Sequence, residues 1–328
     1  MNKRIFLVSL AAVTMVCYLQ AQPQQAQQRA PVSEISYHGP FIENFNNPTS
    51  EFFNFNSRRT GYDYRYYPGM HSLTEKGTEI MMLRIDPEDP AGAGRGPEIG
   101  TKYLTHFGTY SARIRVPDVT RVQPNVGAVV GYFTYRMDPV HGLSEIDFEW
   151  LIADPEIIYI GTWTGPRGDL QRVGRTINLA KGIIYSTSYR ADRAERNERG
   201  QLTGLQSQPE TIQPLENYNA AARFYTYGFD WYPDRLTWWL INPDTHEKIV
   251  LWDYPGPTPN FTGIPISPTR YLLNYWHTNN WPVQTNQNSI EKPLYPYELE
   301  IDWMAYKPFE ELNNSSRAQT QRTVNSNN

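Results

Sequence analysis

Apolar and acidic side chains alternate without a break in Ser144-Glu145-Ile146-Asp147-Phe148-Glu149-Trp150. A period of two is that of a strand, so Glu145, Asp147 and Glu149 share one face and Ile146, Phe148 and Trp150 the other. Comparable short runs predict strands over 41–45, 79–85, 109–116, 126–136, 143–152 and 157–164, and a short one within 168–182. Further strands are expected over 224–231, 235–241, 248–252, 270–276 and 297–307. The run 126–136 is almost wholly apolar, which suits a central strand buried on both sides. Pro233-Asp234 makes a turn between two of these strands. Residues 52–67, crowded with aromatics, Asn and Arg, read as loops lining one side of a cleft. Residues 86–97 read as a loop; its Gly92-x-Gly94-x-Gly96 lacks the flanking strand and helix of a phosphate-binding turn. Residues 186–222 are charged and then rich in Gln and Pro, and are expected to form a surface insertion with one short helix. Many short strands, one core and no internal repeat predict an all-β sandwich.

Composition adds a compartment. Residues 1–21 carry Lys3 and Arg4, an apolar run from Ile5 to Tyr18, and Leu19-Gln20-Ala21 as a cleavage site, the pattern of a secretory signal. Residues 22–34 read as a disordered Gln/Pro-rich linker and 311–328 as a disordered polar tail, leaving 35–310 as one domain. The single cysteine, Cys17, falls within the signal, so the mature chain has no disulfide and relies on a large core. A secreted or periplasmic bacterial protein is expected, with no membrane attachment after signal cleavage and a monomeric state. The net charge of -4 argues against nucleic acid as a partner. The 9 Trp and 23 Tyr fit both strand formation and the stacking of sugar rings.

Three carboxylates on one strand face repel one another. Cleavage of a glycosidic bond would use them: a retaining glycosidase needs two carboxyl groups about 5–5.5 Å apart. The α-carbons of Glu145 and Glu149 are expected about 13 Å apart at roughly 3.3 Å per residue. Their side chains must therefore lean inward, with Asp147 between them to orient one and keep the other protonated. Taken alone, the five residues fit a solvated acidic face better than a catalytic one; the rest of the chain changes that balance. The six His show no zinc-ligand spacing, and no nucleophile elbow is visible.

The flanking segments resemble glycoside hydrolase family 16, nearest its bacterial lichenases and xyloglucan endotransglycosylases. The resemblance is carried by Phe107-Gly108-Thr109-Tyr110-Ser111-Ala112-Arg113-Ile114-Arg115, Gly131-Tyr132-Phe133-Thr134-Tyr135 and His141-Gly142 before the acidic strand. It continues in Phe224-Tyr225-Thr226-Tyr227-Gly228-Phe229-Asp230-Trp231, in Asn274-x-Trp276 with Trp281, and in Glu300-Ile301-Asp302-Trp303. It implies a concanavalin-like jelly-roll sandwich of two antiparallel sheets with a concave substrate cleft. It implies a retaining double displacement on a polysaccharide, with Glu145 as nucleophile, Asp147 as the assisting carboxylate and Glu149 as acid/base. Glu98, Phe133, Tyr135, Leu143, Trp163, Asn274, Trp276 and Trp281 are the implied substrate contacts. No cofactor is required for catalysis; a structural calcium near Asp302 is the family's further implication. The chain departs from the lichenase pattern in Leu143, Ser144 and Gly100, and in Gly161 where an Asn often faces the nucleophile. Mixed-linkage β-1,3-1,4-glucan is the expected substrate. A xyloglucan-type transglycosylase, a hydrolase of laminarin, agar or carrageenan, and a lectin-like glycan-binding sandwich are the alternatives.

Overall fold

The computed structural model describes residues 35–55, 64–90, 94–121, 126–191, 211–256, 263–278 and 293–309, with backbone only for 188–191. The expected signal 1–21, linker 22–34 and tail 311–328 lie outside the described residues. So does 192–210, the middle of the expected insertion.

Sixteen strands make up the described chain. The first eight are β1 (Phe41–Glu43), β2 (Phe53–Asn54), β3 (Tyr66–His71), β4 (Glu79–Ile85), β5 (Glu98–Thr101), β6 (Gly108–Arg115), β7 (Ala128–Asp138) and β8 (Gly142–Leu151). The rest are β9 (Ile157–Gly165), β10 (Gln171–Asn178), β11 (Ile183–Ala191), β12 (Tyr225–Trp231), β13 (Leu236–Ile241), β14 (Lys248–Tyr254), β15 (Arg270–His277) and β16 (Tyr297–Pro308). No helix occurs among the described residues.

Two sheets of eight strands each form a jelly-roll sandwich. One runs β14-β13-β12-β6-β16-β4-β3, with β1 also paired to β16; the other runs β11-β10-β9-β8-β7-β15-β5-β2. The strand pairings between neighbours are antiparallel throughout. Alternation fixes which side chains go inward. From β8 these are Ile146, Phe148 and Trp150; from β15 Tyr271, Leu273 and Tyr275; from β12 Tyr227, Phe229 and Trp231, all in one apolar core. Two pairs of its aromatic hydroxyls satisfy each other, Tyr271 donating to Tyr132 (3.0 Å) and Tyr218 bonded to Tyr227 (2.8 Å).

The expected insertion at 186–222 is corrected at both ends. Residues 186–191 continue β11, which pairs with β10. Residues 215–221 seal the core: Leu215, Tyr218, Ala220 and Ala221 are buried, and Tyr218 accepts a hydrogen bond from Trp150 Nε1 (3.1 Å). The loop expected over 52–67 instead holds β2 and the start of β3. Pro68 and Gly69, at a register shift between Tyr67 and Met70, hide the period of two in β3.

Candidate active site

The acidic strand is set by the turn before it. Backbone N–H groups of Val140 and His141 both donate to the Asp138 carboxylate (2.9 Å), and Gly142 opens β8 at φ +80°. A side chain at Gly142 would also strike the backbone of Gly165. From there no bulge interrupts β8, and its pairing with β7 and β9 is unbroken. Glu145, Asp147 and Glu149 therefore lie on the outer face of the second sheet, in three successive rows across it.

Register names each row. Glu145 stands between Tyr135 on β7 and Trp163 on β9, with Arg270 of β15 beyond Tyr135 and Arg172 of β10 beyond Trp163. Asp147 stands between Phe133 and Gly161, with Leu272 and Gly174 beyond them. Glu149 stands between Gly131 and Tyr159, with Asn274 and then Glu98 beyond Gly131. A fourth row holds Leu151, Val129 and Trp276, where Trp276 packs on an outer apolar cluster with Ala153 and Ile157.

This face is recessed. Residues on an open sheet face would be well exposed, yet Asp147 is 4% exposed, Glu98 and Asn274 3%, Leu143 5% and Phe133 8%. Glu145, Glu149, Trp163 and Trp276 are half-buried, and Tyr135 at 37% is the open edge. The two longer acids thus reach solvent from either side of a buried aspartate. Burial, then the charges of Glu145 and Glu149, pushes the Asp147 carboxyl well above the ordinary carboxylate range, and Arg172 opposes them. One oxygen of Asp147 is buried without a hydrogen-bond partner among the described residues. Its backbone carbonyl accepts from Trp238 Nε1 (3.1 Å), which reaches across the core from β13.

Small residues shape the floor. At Gly131 a side chain would meet Asn274 Oδ1 at 2.6 Å, so its absence lets Asn274 lean toward Glu149. Asn274 Nδ2 also approaches Glu98 Oε2 (3.4 Å). At Gly161 and at Gly174 a side chain would collide with the Tyr159 hydroxyl. The phenol of Tyr159, on β9 opposite Glu149, fills the space those two positions vacate.

The fold brings together ten of the sequence-derived candidates: Glu145, Asp147, Glu149, Glu98, Phe133, Tyr135, Trp163, Asn274 and Trp276, with Leu143 at one end of the same face. Trp281 lies outside the described residues. Asp302 is on the other sheet and does not fit calcium: Arg113 Nη1 donates to its carboxylate (2.6 Å) while Nη2 donates to Glu75 (2.6 Å). A guanidinium supplies the positive charge there. Among the described residues no three His, Cys, Asp or Glu gather around a common point. Two residues of the site were missed, Tyr159 and Arg172. Parity from Trp163 along β9 signals the first. The second depends on the β9–β10 register, fixed by the Gly165–Asp169 turn, in which Asp169 N–H donates to the Pro166 carbonyl (2.9 Å).

No protein-family model matches the chain. It is 23% identical to a β-glucanase of Paenibacillus polymyxa over 184 residues, 56% of this chain and 54% of that protein. It is 20% identical to a β-glucanase of Bacillus amyloliquefaciens over 238 residues, 72% of each chain. The chain thus spans about half the length of the Paenibacillus relative it matches. Among solved structures it is similar to a Crh5 transglycosylase in complex with NAG, at TM-score 0.52 and 14% identity, covering 85% of this chain and 88% of that one. In sequence the chain is similar to curated β-glucanases and in fold to a transglycosylase, and both fit the resemblance to glycoside hydrolase family 16 that its motifs carry.

Proposed function

We propose that this chain is an exported endo-acting glycoside hydrolase that cleaves a β-glucan, most specifically mixed-linkage β-1,3-1,4-glucan, with retention of configuration. The observation that carries this reading is the unbroken acidic strand on a recessed face, walled by Tyr135, Trp163 and Trp276. The β-glucanase name of the relatives supports the glucan. The basic-then-apolar start of the chain supports export.

The chemistry balances on two residues. The Glu145 carboxylate attacks the anomeric carbon while the bond to the leaving oxygen breaks, and Glu149 gives that oxygen its proton. Glu149 then takes a proton from water, which attacks the same carbon and releases Glu145. Asp147 lies between them as an acceptor that orients either side chain. The half-buried rings hold sugar faces, and Asn274 with Glu98 offers hydrogen-bonding groups beside Glu149.

A panel of lichenan, barley β-glucan, laminarin, xyloglucan, agarose and carrageenan, read by reducing ends and product masses, tests the substrate. Release of oligosaccharides from lichenan but not laminarin is expected. Cleavage of a different glycan alone would replace the substrate and keep the mechanism; silence on all six would remove the hydrolase reading. Glu145→Gln is expected to abolish turnover with the fold intact. A second reading, transfer to a sugar acceptor, is favoured by the placement of Trp163 directly beside Glu145. Products larger than the input oligosaccharide would select it.

A further inference from the structure

Arg172 stands on β10 in the Glu145 row, on the far side of Trp163. Its guanidinium lies 5.3 Å from the centre of the Trp163 ring and 5.5 Å from that of the Tyr159 ring. Trp163 belongs to the Glu145 row and Tyr159 to the Glu149 row. Between those rows lie Gly161 and Gly174, whose missing side chains leave the space that guanidinium and phenol share. Among the described residues Arg172 Nε is buried without a hydrogen-bond partner. Its charge is held by two aromatic faces, in the Glu145 row and next to the Asp147 row.

We propose that Arg172 is a positioning residue of the acid row: clamped between Trp163 and Tyr159 beside the Asp147 row, its guanidinium weakens the hold of Asp147 on a proton and so favours the proton's residence on Glu149. This rests on the glycosidase roles given above. Burial and two flanking carboxylates push Asp147 toward holding a proton, which would compete with the acid/base for it; Arg172 is the charge that acts against this. The other titratable groups placed on this face are Tyr159 on β9, Tyr135 on β7, Arg270 on β15, Glu98 on β5 and Tyr185, which packs on the same outer cluster as Trp276; the register also sets Arg190 of β11 opposite Arg172. All stay in place in the variants below.

The test is a carboxyl-carbon NMR titration of protein labelled at Asp, with Asp147→Asn to identify the Asp147 signal. Arg172→Met should raise the Asp147 midpoint by about half to one pH unit, the scale of one charge several ångströms away in a partly wet site. Arg172→Lys keeps the charge and should leave the midpoint near that of the parent. In hydrolysis of the preferred glucan, Arg172→Met should move the acid limb of the pH profile in the same direction and lower kcat more than it changes KM. An unmoved midpoint in Arg172→Met overturns the proposal. So does an equal shift in Arg172→Lys, since the side chain would then serve only to hold the rings. Arg172→Gln replaces Arg172→Met should the latter not fold. A parent that cleaves no glycan removes the glycosidase reading, while the titration still decides what Arg172 does to Asp147.

Discussion

Single residues carry most of what distinguishes this site from a plain acidic strand face. Asp147 is nearly sealed from water while Glu145 and Glu149 are not, a difference made by the neighbours in each row and not by the strand itself. The alternation of acids was legible in the sequence, as were the aromatics at Phe133, Tyr135 and Trp276. Tyr159 shares the parity of Trp163 on β9 and was missed for want of a motif, whereas Arg172 carries no signal until the β9–β10 register brings it beside two glycines. Another residue shows how burial sets a pH response. The His106 ring stacks on Phe107 (3.8 Å between centres), and its Nε2–H donates to the Ile266 carbonyl (2.9 Å). Burial, partly offset by that carbonyl, lowers its pKa from 6.5 to about 4. The unfolded chain therefore takes up a proton that the folded ring refuses, and stability falls as pH drops from about 6.5 to about 4. Urea unfolding at a series of pH values should show this slope. In His106→Phe it should flatten by up to about 1.4 kcal/mol per pH unit.

At the scale of elements, the acidic strand is braced from behind. Trp238 reaches through the core to the Asp147 carbonyl, so a residue of the opposite sheet fixes the backbone beneath the buried acid. Trp238→Phe should cost about 1–3 kcal/mol of stability, read by denaturant unfolding, because it leaves a buried carbonyl short of a donor and opens space against Trp252. It should also lower activity while Glu145 and Glu149 remain in place; an active, equally stable variant would deny the brace. The period of two made β4, β6, β8, β12, β13 and β16 readable to within a few residues. The strands it missed have physical reasons. β5 has only four residues, all buried, so nothing alternates. β11 reads Ile183-Ile184-Tyr185-Ser186-Thr187-Ser188-Tyr189, a polar edge strand that resembles a loop in composition.

The whole molecule is tied together by buried charge as well as apolar packing. Glu300 on β16 is fully buried and accepts from Arg115 Nη2 (2.9 Å), Ser72 Oγ (2.8 Å) and the Leu73 N–H (2.9 Å). Arg115 also donates to the Ala221 carbonyl (3.0 Å), linking the segment before β12 to the sheet centre. Glu300→Ala strands a buried guanidinium and should cost about 3–5 kcal/mol in denaturant unfolding. The order of strands has a further result. Strands β12 to β16 do not form a block of their own: β12 and β16 flank β6 in one sheet, and β15 sits between β7 and β5 in the other. A backbone cut within 192–210 would divide the chain into two pieces that each own strands of both sheets. One piece carries the three acids, the other Asn274 and Trp276. Co-expressed as separate polypeptides, the halves should reassemble into one particle in size-exclusion chromatography, and neither alone should complete the recess. The protein is built as two interlocking halves, which makes it a natural scaffold for split-enzyme complementation.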